Sequence, residues 1–165
     1  MKGITLIGMP GSGKSTIGKM LADISKRRFV DLDILILEKE GRGHADILEK
    51  DGKEELLRLE EKYTLGIDLL NTVFSPGGSI VYSDLAMKKM ERETEIFYFM
   101  LPVEEIKRRL GDKIDSRGIV GLKERGIKKL FQERDILYRK FSDKIIDCEG
   151  LSKKEIMESI QQFLI

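Results

Sequence analysis

Residues 8–16, Gly-Met-Pro-Gly-Ser-Gly-Lys-Ser-Thr, constrain this chain more than any other segment. They satisfy G-x-x-x-x-G-K-[ST] in full. They follow a short apolar run at Lys2–Ile7 and open a helix-forming stretch from about Lys14 to Lys26. Gly8, Gly11 and Gly13 let consecutive backbone N–H groups converge on phosphate oxygens, and the start of the next helix adds the positive end of its dipole. Lys14 carries a full charge to the terminal phosphates, and the Ser15 hydroxyl can ligate Mg2+. Gly8, Gly11, Ser12, Gly13, Lys14, Ser15 and Thr16 are therefore the expected phosphate cradle, the P-loop, and ATP with Mg2+ the expected cofactors.

Such a cradle needs a strand that delivers it to a helix N-terminus, and the rest of the chain repeats that alternation. Short apolar runs at Phe29–Leu32, Thr72–Ser75, Glu95–Leu101 and Lys144–Asp147 read as further strands. Between them lie helical stretches: two short ones at Ile34–Gly41 and Ala45–Lys50, and a longer one at Lys53–Leu70 with Leu56, Leu59, Tyr63, Ile67 and Leu70 on one stripe. Further helices begin near Ser83 and Val103 and run over Leu122–Phe141. Ser152-Lys-Lys-Glu155 has capping-box spacing and opens a last helix. Residues Gly111–Gly121, charged and glycine-rich, read as a loop. The fold class is α/β: a three-layer α/β/α sandwich with a five-stranded parallel sheet, of the P-loop nucleoside-kinase-like kind. Its 165 residues fit one domain, with substrate-binding helices at about 34–62 and a lid loop at about 111–121.

Charge narrows the partners. Thirty Lys and Arg nearly cancel 29 Asp and Glu, so no global field recruits nucleic acid or an anionic membrane, and any anion site is local. No apolar stretch reaches the 18 residues of a membrane span. One cysteine, Cys148, excludes an intrachain disulfide and suits a reducing compartment. A cytoplasmic monomer acting on a small molecule is expected. A guanine-reading N-K-x-D segment is missing, and Asp115-Ser-Arg-Gly118 fits D-x-x-G only by letters, in the late charged loop. The chain is short for an oligomeric motor. A kinase is the remaining reading, with a non-catalytic nucleotide-binding module as the alternative from another class.

Several residues then suggest an acceptor site. Asp31 and Asp33 lie two apart at the end of the second strand, so both carboxylates can face the crevice where open α/β sheets bind ligands. One can serve Mg2+ and the other an acceptor hydroxyl; alternatively, Asp33 is only the N-cap of the next helix. Arg134 falls on the apolar stripe formed by Ile127, Leu130, Phe131, Leu137, Tyr138 and Phe141. A guanidinium there needs an anion, either an internal carboxylate or a ligand. Arg58 is a ligand contact or a surface partner of Glu61, and Arg117 a lid arginine or a solvated one. Ser75-Pro-Gly-Gly-Ser79 either lets a ligand approach the backbone or is a plain turn. His44 reads as a solvated turn residue and Cys148 as a packed one.

Together these positions resemble the shikimate kinase family across nearly the whole chain. The segment Ile7–Lys19 is similar to that family's opening, and Asp31-Leu-Asp33 to its acidic strand end. Leu57-Arg58-Leu-Glu-Glu61 is similar to its F-R-x-x-E helix, with one residue more between Gly52 and the arginine. Gly77-Gly78-Ser79 stands for three glycines, Arg117-Gly-Ile-Val for the lid motif R-P-L-L, and Arg134-Asp-Ile-Leu-Tyr138 for R-x-P-L-Y. The resemblance implies transfer of the γ-phosphate of ATP to the 3-hydroxyl of shikimate. It implies that Lys14 and Arg117 stabilise the phosphoryl group, that Ser15 and Asp31 serve Mg2+, and that Asp33 contacts the hydroxyls and acts as base. By the same resemblance Arg58 and Arg134 grip the carboxylate, and Gly77, Gly78 and Ser79 line the substrate. Gluconate, quinate or homoserine is the alternative acceptor.

Overall fold

The structure is a computed structural model and describes residues 1–164. Five strands form one parallel sheet in the order β2-β3-β1-β4-β5: β1 (Gly3–Ile7), β2 (Arg28–Asp31), β3 (Thr72–Ser75), β4 (Thr94–Met100) and β5 (Lys144–Asp147). Every pairing is parallel, with Ile4 opposite Val73 on one side of β1 and Glu95 on the other. Central strand β1 is buried along its whole length, as a strand covered on both faces must be. Its one polar side chain, Thr5, is satisfied by Thr94 Oγ1 at 2.9 Å, and Thr94 in turn donates to the Met90 carbonyl.

Among the described residues, eight α-helices make the outer layers: α1 (Lys14–Ser25), α2 (Leu32–Glu40), α3 (His44–Asp51), α4 (Lys53–Gly66), α5 (Asp84–Glu93), α6 (Val103–Leu110), α7 (Leu122–Phe141) and α8 (Lys153–Phe163). The result is the expected α/β/α architecture. Helix α8 opens with the anticipated capping box, Ser152 and Glu155 each bonding the other's backbone N–H. No described helix is long and apolar enough to cross a membrane.

Three departures from the sequence reading have local causes. Helix α4 stops at Gly66 rather than Leu70, because Asp68 accepts from the Leu70 amide and turns the chain; Leu69, not Leu70, enters the core. Helix α7 is interrupted at Gly126, whose φ of 74° and ψ of 161° suit only glycine, so a short first turn is offset from the long segment behind it. The turn after β3 continues as a 3-10 helix, Gly78–Tyr82, before Ser83 caps α5.

Candidate active site

The carboxyl ends of β1, β2 and β3 converge on one cleft. At its floor the P-loop backbone takes φ of 81° at Gly11 and 97° at Gly13, left-handed values that a side chain would strain. Lys14 opens α1 beneath the loop. Its ammonium donates to the carbonyls of Gly8 at 2.9 Å and Met9 at 2.8 Å, with Ser12 Oγ at 3.3 Å. Burial lowers its pKa to about 8, against the opposing pull of Asp33 and Asp31. Ser15 and Thr16 are exposed on the mouth, and Ser15 Oγ donates to a carboxylate oxygen of Asp31. Arg109, at the end of α6, also lines this half of the cleft and reaches the Gly11 carbonyl at 3.4 Å. The sequence reading missed Arg109. Its only signal was a run of three basic residues in the last turn of α6.

Asp31 and Asp33 both face the cleft, but not as two residues of one strand. Strand β2 ends at Asp31, which caps α2 by accepting from the amides of Asp33 at 3.0 Å and Ile34 at 3.2 Å. Asp33 is therefore not the cap. It lies in the first helical turn, with 60% of its side chain accessible from the cleft. The cleft walls nonetheless strip it of enough water to raise its pKa above the usual carboxylate range, a shift that His44 opposes. Ser15 and Asp31 form the adjacent oxygen pair expected of a Mg2+ site. Among the described residues there is no cluster of three His, Cys, Asp or Glu that could hold a metal alone. Two protein oxygens beside a phosphate cradle fit Mg2+, which keeps waters and phosphate oxygens as its other ligands.

Next to the nucleotide half, and sharing Asp31, Asp33, Gly77, Gly78 and Arg117 with it, lies a second cavity. Its back wall is Arg134, only 1% exposed. That guanidinium donates to the Val120 carbonyl at 2.7 Å and to the Tyr82 hydroxyl at 3.3 Å, and stacks 5.4 Å from the Tyr82 ring. Among the described residues it has no carboxylate partner, so the internal ion pair left open by the sequence does not form. Gly78 is packed so closely that a Cβ there would sit 2.8 Å from Arg134 Nη1 and 3.1 Å from the Tyr138 hydroxyl. Tyr138 in turn donates to the Gly78 carbonyl at 2.6 Å. Ser79 also lines the cavity, its hydroxyl 2.6 and 2.8 Å from the two oxygens of Glu60. Glycine at 77 matters as well, since a Cβ would meet Glu60 and Asp33.

Residues 117–120 of the loop before α7 line one side of this cavity. Arg117 is exposed and borders both halves, while Ile119 and Val120 are 7% and 5% exposed and pin the loop to the core. The loop is thus less detached than its charged composition suggested. Gly118, at φ 67°, sits so tightly on α3 that a Cβ would lie 2.3 Å from the Ala45 nitrogen.

Two sequence readings are corrected here. Arg58 does not enter the cavity: it is paired with Glu55 through two 2.7 Å bonds, 57% exposed, along a neighbouring groove. Glu60 is the residue of α4 that turns inward. Arg58, two positions earlier, is rotated from it by about 200° around the helix axis. His44 is not a solvated turn residue. It begins α3, is 12% exposed, and places Nε2 3.3 Å from Asp33 and 3.2 Å from Glu60. Neither histidine periodicity nor a motif marked it; only the packing of α3 on α4 does.

With this geometry in view, the comparisons with known proteins are consistent along the whole chain. The family model described as shikimate kinase matches residues 10–165. The shikimate kinase of Persephonella marina is 35% identical over 164 residues, covering 97% of each chain. That of Sulfurihydrogenibium is 34% identical over 161 residues, covering 97% of this chain and 96% of the relative. Among solved structures, the Acinetobacter baumannii shikimate kinase in complex with shikimate superposes with a TM-score of 0.90 at 25% identity, over 99% of this chain and 93% of that one. The Aquifex aeolicus shikimate kinase gives 0.83 at 29% identity, over 98% and 95%. A nucleotide cradle joined to a cavity with a buried arginine thus comes with a full-length match in sequence and fold, and the chain belongs to the shikimate kinase family of ATP-dependent small-molecule kinases.

Proposed function

We propose that this chain phosphorylates the 3-hydroxyl of shikimate with ATP, as one kinase domain over residues 1–165 whose α2–α4 region holds the acceptor and whose lid is residues 111–121. The observation that carries this reading is Arg134. A buried guanidinium without a carboxylate partner among the described residues is costly unless a ligand supplies the anion. It faces the cavity that also contains Asp33 and adjoins the P-loop. A carboxylate on Arg134 fixes one end of a hydroxy acid and leaves a hydroxyl within reach of Asp33.

In this reading Gly8, Gly11, Ser12, Gly13 and Thr16 wrap the phosphates with backbone and hydroxyl donors. Lys14 leaves its carbonyl partners for the γ-phosphate, and Arg117 approaches from the lid, so that positive charge meets the transferring group. Asp33 orients the acceptor hydroxyl and takes its proton; its raised pKa brings it closer to that task. Ser15 and Asp31 would hold Mg2+, which when bound neutralises phosphate charge. Gly77, Gly78 and Ser79 form the close wall under the acceptor ring. Balanced composition, the lone buried Cys148 and the self-contained sheet support a cytoplasmic monomer with neither nucleic acid nor membrane as partner.

A second reading, phosphorylation of another hydroxy acid, is favoured by one feature: Arg58 lies outside the cavity, which leaves Arg134 as its single buried arginine. A coupled ADP-release assay with shikimate, quinate, gluconate and homoserine tests both. Saturable turnover with shikimate at a kcat/KM above the other three is expected; a rate with quinate or gluconate alone would transfer the site to that acceptor.

A further inference from the structure

The acceptor cavity contains a second polar cluster that the phosphoryl-transfer reading leaves unused. Glu60 is 1% exposed, and among the described residues neither lysine nor arginine pairs with it. Its oxygens receive the Ser79 hydroxyl and His44 Nε2, the latter at 3.2 Å. The same Nε2 lies 3.3 Å from Asp33 Oδ1. Both neighbours of Nε2 are carboxylates, which only accept, so that nitrogen carries the proton. One N–H shared between Glu60 and Asp33 ties an accessible aspartate to a buried anchor. It occupies Oδ1 and leaves Oδ2 for the acceptor hydroxyl.

We propose that His44 is a positioning residue for Asp33: as an imidazolium bridging Asp33 and Glu60, it orients the aspartate and balances the two carboxylates. This rests on the reading of Asp33 as the group that orients and deprotonates the acceptor. Three elements converge to build the bridge, with Asp33 from α2, His44 from α3 and Glu60 from α4, while Ser79 locks Glu60 from the β3 side. Lid residue Gly118 seats against the His44 backbone, 2.6 Å from a Cβ to the His44 carbonyl carbon, so a closed lid also fixes the bridge. The other charges lining the cavity are Asp31, Arg117 and Arg134, with Lys14 and Arg109 in the adjoining nucleotide half. Burial disfavours the imidazolium, but the bond to Glu60 and the charges of Asp33, Glu60 and Asp31 prevail, so the charged form persists to a pH above the ordinary histidine value.

The consequence is a specific pH signature. As pH rises and His44 loses its proton, Asp33 and Glu60 repel and the aspartate drifts, so kcat falls. The test is steady-state kinetics of the full chain with ATP and shikimate from pH 6 to 9, for wild type, His44→Ala, His44→Gln and Asp33→Asn. His44→Ala is expected to lower kcat about tenfold, a fraction of a general base's contribution, while KM for ATP stays within about twofold. His44→Gln keeps a donor without the charge, so it should recover part of that rate at pH 7 and lose the part of the alkaline limb due to His44. Lys14 is common to wild type and His44→Gln and contributes equally to both profiles, so the difference between them isolates the histidine. If His44→Ala fails to fold, the profile of His44→Gln decides alone. A His44→Gln enzyme with wild-type kcat and an unchanged alkaline limb overturns the proposal. An inactive Asp33→Asn beside a wild-type-like His44→Gln sinks only the role of His44; an active Asp33→Asn sinks the reading of Asp33 itself.

Discussion

Replacing Arg134 with methionine separates a ligand-binding arginine from a structural one by magnitude. If the guanidinium were half of an internal ion pair, its loss would strand a buried carboxylate and cost about 3–5 kcal/mol of stability. Its partners in the structure are instead a backbone carbonyl, a hydroxyl and an aromatic ring. Losing the bond to the Val120 carbonyl leaves that acceptor short, at about 1–2 kcal/mol. Losing the cation–π contact to Tyr82 removes about 1 kcal/mol. Against these stands relief from burying an uncompensated charge, several kcal/mol per ion by general estimates. The opposing contributions are of one size, so free-protein stability should change by no more than about 1 kcal/mol, or about 2–4 °C in Tm for a chain of this length. Acceptor binding behaves differently. Removing one partner of a buried charged pair costs about 2–5 kcal/mol, which lowers kcat/KM for the hydroxy acid by roughly 30-fold to several thousandfold. Urea unfolding and ADP-release kinetics on the same preparation measure both. A loss of 3 kcal/mol or more in stability, with kcat/KM for the acceptor preserved, would show that Arg134 serves the fold and refute the argument.

Two further outcomes follow from the nucleotide half and the lid. Because burial holds Lys14 near pKa 8 in the free protein, its charge is complete below about pH 7 and lost as pH rises through 8. ATP affinity should therefore fall between pH 7 and 9, and binding at pH 8 should take up protons as the phosphate restores the ammonium; calorimetry in two buffers of different ionisation enthalpy reads that uptake, and none at pH 8 would contradict the assignment. Gly118→Ala puts a Cβ 2.3 Å from the Ala45 nitrogen and strains a φ of 67°, so the lid cannot seat on α3. A fall in kcat of about tenfold or more is expected, since water exclusion and the approach of Arg117 both depend on closure, with urea unfolding close to wild type; an unchanged kcat would mean that this docked lid plays no part in turnover.

What the sequence disclosed, and what it withheld, divides along a physical line. The P-loop was legible because its geometry is local: three glycines, a lysine and a hydroxyl act within nine residues, and no distant contact is needed to aim them. Arg134 was legible for a related reason, as a charge on an apolar stripe is anomalous before any partner is known. Asp31 and Asp33 were found for an imperfect reason. The alternation of a strand was invoked, whereas a strand end and a first helical turn deliver them to the same side. Arg58 and His44 could not be resolved from spacing. Which residue of α4 turns inward depends on how α4 rolls against α2 and α3, and a shift of one residue rotates a side chain by about 100°. Ile47, Leu56 and Leu59, through which α3 and α4 enter the common core, are all buried, and none of them belongs to the site.

The charge balance of the cleft explains why its two halves should work together. Four cations, Lys14, Arg109, Arg117 and Arg134, border the joined cavities, with carboxylates Asp31, Asp33 and Glu60 among them and His44 between the last two. The protein side thus carries a small net positive charge before any ligand enters, larger by one with His44 protonated. A nucleotide triphosphate and a carboxylate would then add several negative charges to a space with little water, which the P-loop amides and Lys14 offset only in part. Ser15 and Asp31 sit where a divalent cation would remove most of the remainder, and Arg117 borders both halves from the loop before α7. Arg134 lines the acceptor half and not the nucleotide half, and its partners are neutral, so the acceptor's carboxylate need not compete with phosphate for it. Separate anion sites, joined along a shared border that includes Asp31, Asp33 and Arg117, let one small cleft hold two anionic substrates and bring the reacting oxygen of each toward the other.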